Sequence, residues 1–202
     1  NMAEDALGVL DALDVARAHV VGVSMGGMIA QRVAIAAPQR VISLTSIMSS
    51  SGAKNLKQAH PDVTRVLISR PASAELEAVV DHYVKLYRTI GSPDYPTPEP
   101  ELRERIARGV QRSYHPAGVR RQMLAILADI TRAAQLSRIT SPTLVLHGRA
   151  DPLVPFEHGE DVARRISGAR LVGIDGMGHD LPPEPLAQIL DALIPHLQAA
   201  KP

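Results

Sequence analysis

The sequence predicts an α/β fold in which a parallel sheet has helices on both faces and is interrupted by an all-helical insertion. Short runs rich in valine and leucine alternate with helical patterns at both ends of the chain, which is typical of a parallel sheet buried on both faces. Between them, residues 53–135 show several amphipathic helical patterns and no convincing strand. We therefore divide the chain into a first part of the core (1–52), a helical cap (53–135) and a second part of the core (136–202).

Composition and charge exclude several classes of protein. The 202 residues include 22 basic and 21 acidic ones, giving a formal charge of +1, so we expect no nucleic-acid partner. The absence of cysteine excludes disulfides and a thiol nucleophile. No apolar run approaches the roughly 18 residues that a membrane helix needs. The acidic first residues, NMAED, are unlike a signal peptide, and the cytoplasm is the default expectation for location.

The first part of the core is predicted to alternate helix and strand. Apolar residues at helical spacing predict a helix over 2–14, and the run AHVVGV predicts a buried strand over 18–23. A second helix follows Ser24 and ends before Pro38, which cannot continue it. The run VISLTSIM predicts the next strand over 41–48.

In the cap, two helices and one extended connection stand out. A helix over 73–90 carries an apolar face, with Ser73 as its expected N-cap. Four prolines within 92–100 predict an extended connection. A helix over 116–134 is expected to direct five apolar side chains inward: Val119, Met123, Ile126, Leu127 and Ile130.

The second part of the core returns to alternation. The run TLVLH predicts a buried strand over 143–147, and a helix is predicted over 157–166. A further strand over 169–175 leads to a glycine-rich loop and a last helix over 184–197. Alternation of this kind predicts parallel strands whose carboxyl ends share one edge of the sheet.

A glycine-flanked serine lies where the first predicted strand meets a helix. The run Gly22-Val23-Ser24-Met25-Gly26 is a G-x-S-x-G turn in the strand–turn–helix context that this motif requires. The turn strains the serine backbone, and we expect Gly22 and Gly26 to be glycine to avoid clashes. The helix N-terminus directs N–H groups toward the hydroxyl, and the Met25 N–H is expected to donate to an oxyanion.

A serine hydroxyl needs a histidine to take its proton and a carboxylate to orient that histidine. Asp151 and His179 each follow a predicted strand within four residues, so both are expected at the same sheet edge as Ser24. Their order along the chain is the one found with this turn. Asp175 and Asp180 remain conceivable substitutes for the acid.

The other histidines are weaker candidates for the base. His19 begins a strand at the wrong end, and His147 is expected to serve packing or a loop hydrogen bond. The remaining five are expected on cap or surface elements in contact with solvent: His60, His82, His115, His158 and His196.

Three runs together resemble those of the α/β-hydrolases. They are GVSMGG at 22–27, LHGRADPLVP at 146–155 and Gly178-His179. Over nearly the whole chain the sequence looks most like bacterial esterases of the aclacinomycin methylesterase type, and proline iminopeptidases and enol-lactone hydrolases are similar at these motifs. The resemblance implies a triad at Ser24, Asp151 and His179, with no metal and no organic cofactor.

One departure from that family concerns the start of the chain. Family members normally carry a further segment before the helix that precedes the nucleophile strand, including the loop that supplies the second oxyanion donor. Here Met2 already lies in that helix. We therefore expect the C-terminal part of an α/β-hydrolase fold, a four-stranded sheet with the strand 18–23 at an unpaired edge, and a missing N-terminal segment or a companion chain.

The resulting hypothesis is a serine hydrolase that cleaves small or medium apolar carboxylic esters through an acyl-enzyme. An amide hydrolase of the iminopeptidase type is an alternative, with Glu75, Glu77 and Asp81 available in the cap to hold an amine. A catalytically slow ligand-binding protein on the same fold is another. A dehalogenase or epoxide hydrolase is disfavoured, because it would carry aspartate in place of Ser24.

Overall fold

The computed structural model describes residues 1–201, and its centre is a single parallel sheet. The strand order β1-β2-β3-β4 follows the order along the chain, with β1 at one edge. The strands are β1 (Ala18–Val23), β2 (Val41–Ile47), β3 (Thr143–Gly148) and β4 (Arg170–Ile174). The cap enters between β2 and β3, which are neighbours in the sheet. This arrangement confirms the predicted α/β class and the predicted edge position of β1.

Nine α-helices occur within the described residues. Those outside the cap are α1 (Met2–Ala12), α2 (Met25–Ala36), α8 (Glu157–Arg165) and α9 (Pro183–Ala199). Those within residues 53–135 are α3 (Pro61–Ile68), α4 (Leu76–Ile90), α5 (Glu99–Arg112), α6 (Pro116–Ala128) and α7 (Arg132–Gln135). Single 3₁₀ turns occupy Pro38–Arg40 and Leu136–Arg138. The division of the chain at 52 and 135 remains a prediction.

Both faces of the sheet are covered by helices. Successive side chains of a strand point to opposite faces, so each strand contributes to both packing layers. All residues of β2 and β3 are buried. On one face Leu44 and Val145 pack with α1, α2 and α8. On the other face Leu144 and Leu146 pack with Ile189 of α9. Helices therefore cover both faces, as the sequence predicted.

Within the cap, α4 and α5 pack against each other. Val80 and Val84 of α4 meet Leu102 and Ile106 of α5 in a small apolar cluster separate from the main core. Ser73, the predicted N-cap of this helix, lies outside it, because α4 begins at Leu76 and its N-cap is Glu75. The Ser73 hydroxyl accepts only the N–H of Glu75, at 3.3 Å. Likewise α5 begins at Glu99, so the expected extended connection is shorter than predicted.

The sequence prediction for the last long cap helix is wrong on two counts. The helix α6 ends at Ala128, and a turn separates it from α7. It buries no residue, and Leu127 and Ile130 are 71% and 62% exposed. Helical periodicity specified that these side chains share one side, but the structure leaves most of that side exposed.

A buried ionic network attaches the end of the cap to α2. Arg132 is 2% exposed, ion-pairs with Asp129 and donates through Nε to Gln31, at 2.9 Å. Arg32 of α2 pairs with the same carboxylate and donates to Gln135 at 2.9 Å. Burial lowers the pKa of the Arg132 guanidinium, and the charge of Asp129 opposes that effect. The helix that follows the candidate nucleophile is thus tied to the cap through charged groups.

Candidate active site

Ser24 lies on a strained turn between β1 and α2. Its backbone has φ 53° and ψ −118°, outside the regions that non-glycine residues ordinarily adopt. The turn is held because the Ser24 N–H donates to Ile47 O at 2.8 Å and Ser49 Oγ donates to Ser24 O at 2.7 Å. The hydroxyl consequently stands beyond the carboxyl end of β1, where the sequence predicted it.

The glycines of this turn have unequal roles. A Cβ on Gly22 would lie 2.1 Å from Gly26 O, so no larger residue fits there. Gly26 itself has open space around it, which contradicts the expectation that it avoids a clash. The second close approach is at Gly27, where a Cβ would lie 2.6 Å from Ser49 Cβ. The helical backbone of α2 places Gly27, and not Gly26, next to Ser49 just beyond the end of β2.

The imidazole of His179 connects Ser24 to Asp151. Its Nε2 lies 2.9 Å from Ser24 Oγ, and its Nδ1 lies 2.7 Å from Asp151 Oδ2. The ring is 9% exposed. With the proton on Nδ1 donated to the carboxylate, Nε2 is free to accept the serine proton, which is the arrangement required for nucleophilic catalysis.

Asp151 is fixed by its own loop. Its Oδ1 accepts the N–H groups of Leu153 and Val154 at 2.9 and 2.8 Å, which leaves Oδ2 for His179. The side chain is fully buried. A carboxylate held in this way orients the imidazole and stabilises it when it becomes positively charged.

The two alternative acids face elsewhere. Asp180 Oδ1 accepts the N–H of Ser92 at 2.9 Å and also its hydroxyl proton. The side chain of Asp175 is 92% exposed and pairs with Arg149 at 3.1 Å. Asp151 is therefore the carboxylate that contacts His179, and neither Asp175 nor Asp180 takes that place.

The cap carboxylates considered for an amine-binding role do not converge on this site. Glu77 and Asp81 both pair with Arg103 of α5, at 2.8 and 2.7 Å, and their side chains are 78% and 65% exposed. Glu75 is the N-cap residue of α4. These three acids form part of the outer surface of the α4–α5 pair.

A second histidine lies behind the acid. His147 is completely buried, and its Nε2 donates to Val154 O at 2.7 Å while lying 3.7 Å from Asp151 Oδ2. Burial lowers the pKa of His147, and the bond to Val154 opposes this only in part. Its Nδ1 has no hydrogen-bond partner, and Gly159 leaves room for the ring. The prediction of a loop hydrogen bond for His147 is confirmed.

Two of the histidines expected to be merely solvated are engaged in the structure: His158, and His196, whose Nε2 lies 3.3 Å from Leu44 O. His158 Nδ1 lies 2.7 Å from Ser50 Oγ, and its Nε2 lies 2.8 Å from Lys57 O. These contacts join α8 to the segment that follows β2. The prediction for His158 was wrong, because the contacts lie about a hundred residues away along the chain.

The Met25 N–H is available for an oxyanion. Met25 is the first residue of α2, and an N–H at that position has no acceptor within the helix. The helix dipole adds partial positive charge at the same point. This is the position at which the sequence predicted one donor of an oxyanion hole, and that role stays a prediction.

Two cavities accompany this site. The larger, about 660 Å³, lies among α1, α2, α6 and α7 and reaches Met25, and the smaller, about 370 Å³, includes Tyr87 and Asp180. Neither is lined by Ser24 or His179, so neither is assigned to substrate. Among residues 1–201, no group of three or more His, Asp or Glu side chains could hold a metal ion. No helix in this range has the length and apolar character needed to cross a membrane.

The fold and the site together define an α/β-hydrolase. The family model described as alpha/beta hydrolase fold matches residues 1–185, and the chain belongs to this family. Among its relatives, rhodomycin D methylesterase DnrP of Streptomyces peucetius is 34% identical, over 99% of this chain and 73% of its own length. Rhodomycin D methylesterase DauP of Streptomyces sp. (strain C5) is 32% identical, with the same coverage.

Solved structures agree on the fold. The meta-cleavage product hydrolase CumD of Pseudomonas fluorescens has a TM-score of 0.74 at 19% identity, covering 98% of this chain and 71% of its own. The enol-lactonase of Burkholderia xenovorans has a TM-score of 0.70 at 22% identity, covering 97% and 71%. These likenesses confirm an α/β-hydrolase fold and carry no statement about substrate.

Proposed function

We propose that this protein is a serine hydrolase that cleaves carboxylic esters through an acyl-enzyme. Ser24 is the nucleophile, His179 the general base and Asp151 the acid. The observation that carries the proposal is the unbroken series of contacts from Ser24 Oγ to His179 Nε2, at 2.9 Å, and from His179 Nδ1 to Asp151 Oδ2, at 2.7 Å.

The geometry supports the following sequence of proton transfers. His179 Nε2 takes the Ser24 proton as Oγ attacks the ester carbonyl carbon, and the Met25 N–H donates to the oxygen that becomes negative. The imidazolium then gives its proton to the departing alkoxide, which leaves as an alcohol. His179 then takes a proton from water as the water oxygen attacks the acyl carbon; the bond to Ser24 Oγ breaks, Oγ takes that proton back from His179, and the carboxylic acid is released. No metal or organic cofactor has a step to perform.

The proposed substrate is a small or medium apolar ester. Methyl esters are the first class to test, because both Streptomyces relatives are named as methylesterases. An amide substrate held by cap carboxylates is less well supported, since Glu77 and Asp81 are paired with Arg103.

Steady-state and burst kinetics test the proposal. We expect turnover of p-nitrophenyl acetate and butyrate with an initial burst of p-nitrophenol equal to the enzyme concentration. The p-nitroanilides of the same acids should react far more slowly, and methyl esters should be hydrolysed in a pH-stat assay. Ester binding without turnover would favour a binding protein, and faster anilide cleavage would favour the amide hydrolase.

A further inference from the structure

The loop that carries His179 rests on the cap. Residues 176–180, here termed the base loop, contact residues 90–94, which comprise the last residue of α4 and the segment that follows it. The His179 N–H donates to Ile90 O at 2.7 Å, and the Asp94 N–H donates to Gly176 O at 3.4 Å. The backbone of the base loop is thus tied, at Gly176 and at His179 itself, to a segment more than eighty residues earlier in the chain.

Ser92 is the centre of this contact. The residue is 4% exposed, and its Oγ accepts the buried N–H of Gly178 at 2.9 Å. The same hydroxyl donates to Asp180 Oδ1, which also accepts the Ser92 N–H at 2.9 Å. One serine therefore holds the residue before His179 and the residue after it.

The two segments approach so closely that small residues are required. A Cβ on Gly178 would lie 2.3 Å from Gly91 O. A Cβ on Gly176, which has φ +67°, would lie 2.2 Å from Asp94 Oδ2. The backbones of the two segments are therefore in close contact, with no room for a side chain at Gly178 or Gly176.

We propose that Ser92 is a positioning residue that sets the alignment of the His179 imidazole on Ser24, so that the cap orients the base. This inference rests on the proposed function. A misplacement of about 1 Å at a reacting group costs on the order of a hundredfold in rate, so loss of these bonds affects the chemical step more than substrate binding. The hydrogen bonds of Ser92 go to Asp180 and Gly178 and not to the side chains of Ser24 or His179, so it acts through the base loop.

The test compares Ser92→Ala, Ser92→Thr and a matched control, Ser69→Ala. Ser69 is also a cap serine, with a hydroxyl that donates to Val66 O at 2.7 Å, far from the base loop in sequence and contacts. We expect Ser92→Ala to lower kcat for p-nitrophenyl acetate by about tenfold or more, with KM within about twofold of its original value, since one hydrogen bond of this kind lost in the transition state is worth roughly that factor. Ser92→Thr should recover most of kcat, and Ser69→Ala should leave it unchanged.

A proton NMR measurement is independent of turnover. The Nδ1 proton that His179 shares with Asp151 should give a far-downfield resonance, assigned by its loss in His179→Gln. We expect that resonance to shift or broaden in Ser92→Ala and to stay in place in Ser69→Ala.

The outcomes separate this inference from the proposed function. An inactive native protein whose resonance moves in Ser92→Ala would contradict ester hydrolysis and leave the positioning role intact. Unchanged kcat and an unchanged resonance in Ser92→Ala, or a change confined to KM, would overturn the positioning role. If circular dichroism shows that Ser92→Ala does not fold, Asp180→Asn takes its place in the test. We expect Asp180→Asn to lower kcat several-fold, and a kcat equal to that of the native protein would overturn the proposal.

Discussion

Two histidines lie within reach of one carboxylate, and their surroundings give them different roles. His179 is between Asp151 and Ser24, so its ring can gain and lose a proton during a reaction. His147 is fully buried, its Nε2 donates to Val154 O, and its Nδ1 has no hydrogen-bond partner. Burial lowers its pKa, and a neutral ring there holds the loop of Asp151 without competing for its charge.

His147 should make the stability of the protein depend on pH. Because its folded-state pKa lies below the ordinary value of about 6.5, the unfolded chain binds the proton more readily. The contribution of neutral His147 to stability is fully present above about pH 6.5 and is lost as the pH falls toward its folded-state pKa. We predict that the melting temperature of the native protein falls between pH 7.5 and 5.5, and that it falls less in His147→Gln.

The exposed His60 provides the control for that measurement, because its ring is 63% exposed. His60→Gln should show the same fall in melting temperature as the native protein. An equal fall in His147→Gln would mean that the other buried or half-buried groups, and not His147, cause the pH dependence.

At the scale of residues, the proximity of Ser24, Asp151 and His179 was predictable because its signal is local, and their catalytic roles stay a prediction. Ser24, Asp151 and His179 follow strand ends, and that position brought them together as expected. Ser92 could not be found in this way: its partners lie 86 and 88 residues away, and a serine in a proline-rich connection has no distinctive local pattern.

At the scale of elements, the junction of β1 and α2 is determined by one required glycine and by a second at an unexpected position. Gly22 meets the backbone of Gly26, and Gly27 meets Ser49. Gly26 has no neighbour in the direction of a side chain. The two glycines of the motif are therefore predicted to respond in opposite ways to the same substitution.

We predict that Gly22→Ala lowers the free energy of unfolding by about 1–3 kcal/mol, as expected for overpacking, and reduces labelling of Ser24. Gly26→Ala should leave stability unchanged or raise it by up to about 1 kcal/mol, because alanine favours a helix. Urea unfolding of the two variants checks this. Equal destabilisation by both would contradict the unequal roles described for them.

The four strands were predicted to within one residue at each end, although β1 and β4 are less buried than β2 and β3. Strands β2 and β3 are buried throughout and rich in Val, Ile and Leu, which is typical of parallel strands covered on both faces, although Ser43, Ser46 and His147 are buried with them. The orientation of α6 was predicted wrongly. Its periodicity identifies an apolar side, but whether that side packs depends on a neighbour that the helix sequence does not specify.

At the scale of the molecule, the cap is attached to the core by charged groups. Asp129 pairs with both Arg32 and the buried Arg132. Without this carboxylate, Arg132 would be a buried and uncompensated charge, whose cost exceeds that of losing a surface ion pair.

We predict that Asp129→Ala lowers the free energy of unfolding by about 3–5 kcal/mol. The matched control is Asp62→Ala, which removes an exposed pair with Arg65 and should cost less than about 1 kcal/mol. Urea denaturation measures both. Similar small losses in the two variants would mean that the network does not hold the cap on α2.

The most direct test of the account is the reaction of the protein with a fluorophosphonate, followed by intact mass spectrometry and mapping of the adduct. Such probes label a serine only when a base and an oxyanion donor activate it. We predict one adduct per chain, located on Ser24 and absent in Ser24→Ala. No adduct on the native protein, or an adduct that persists in Ser24→Ala, would contradict the assignment of Ser24, His179 and Asp151 as the catalytic residues.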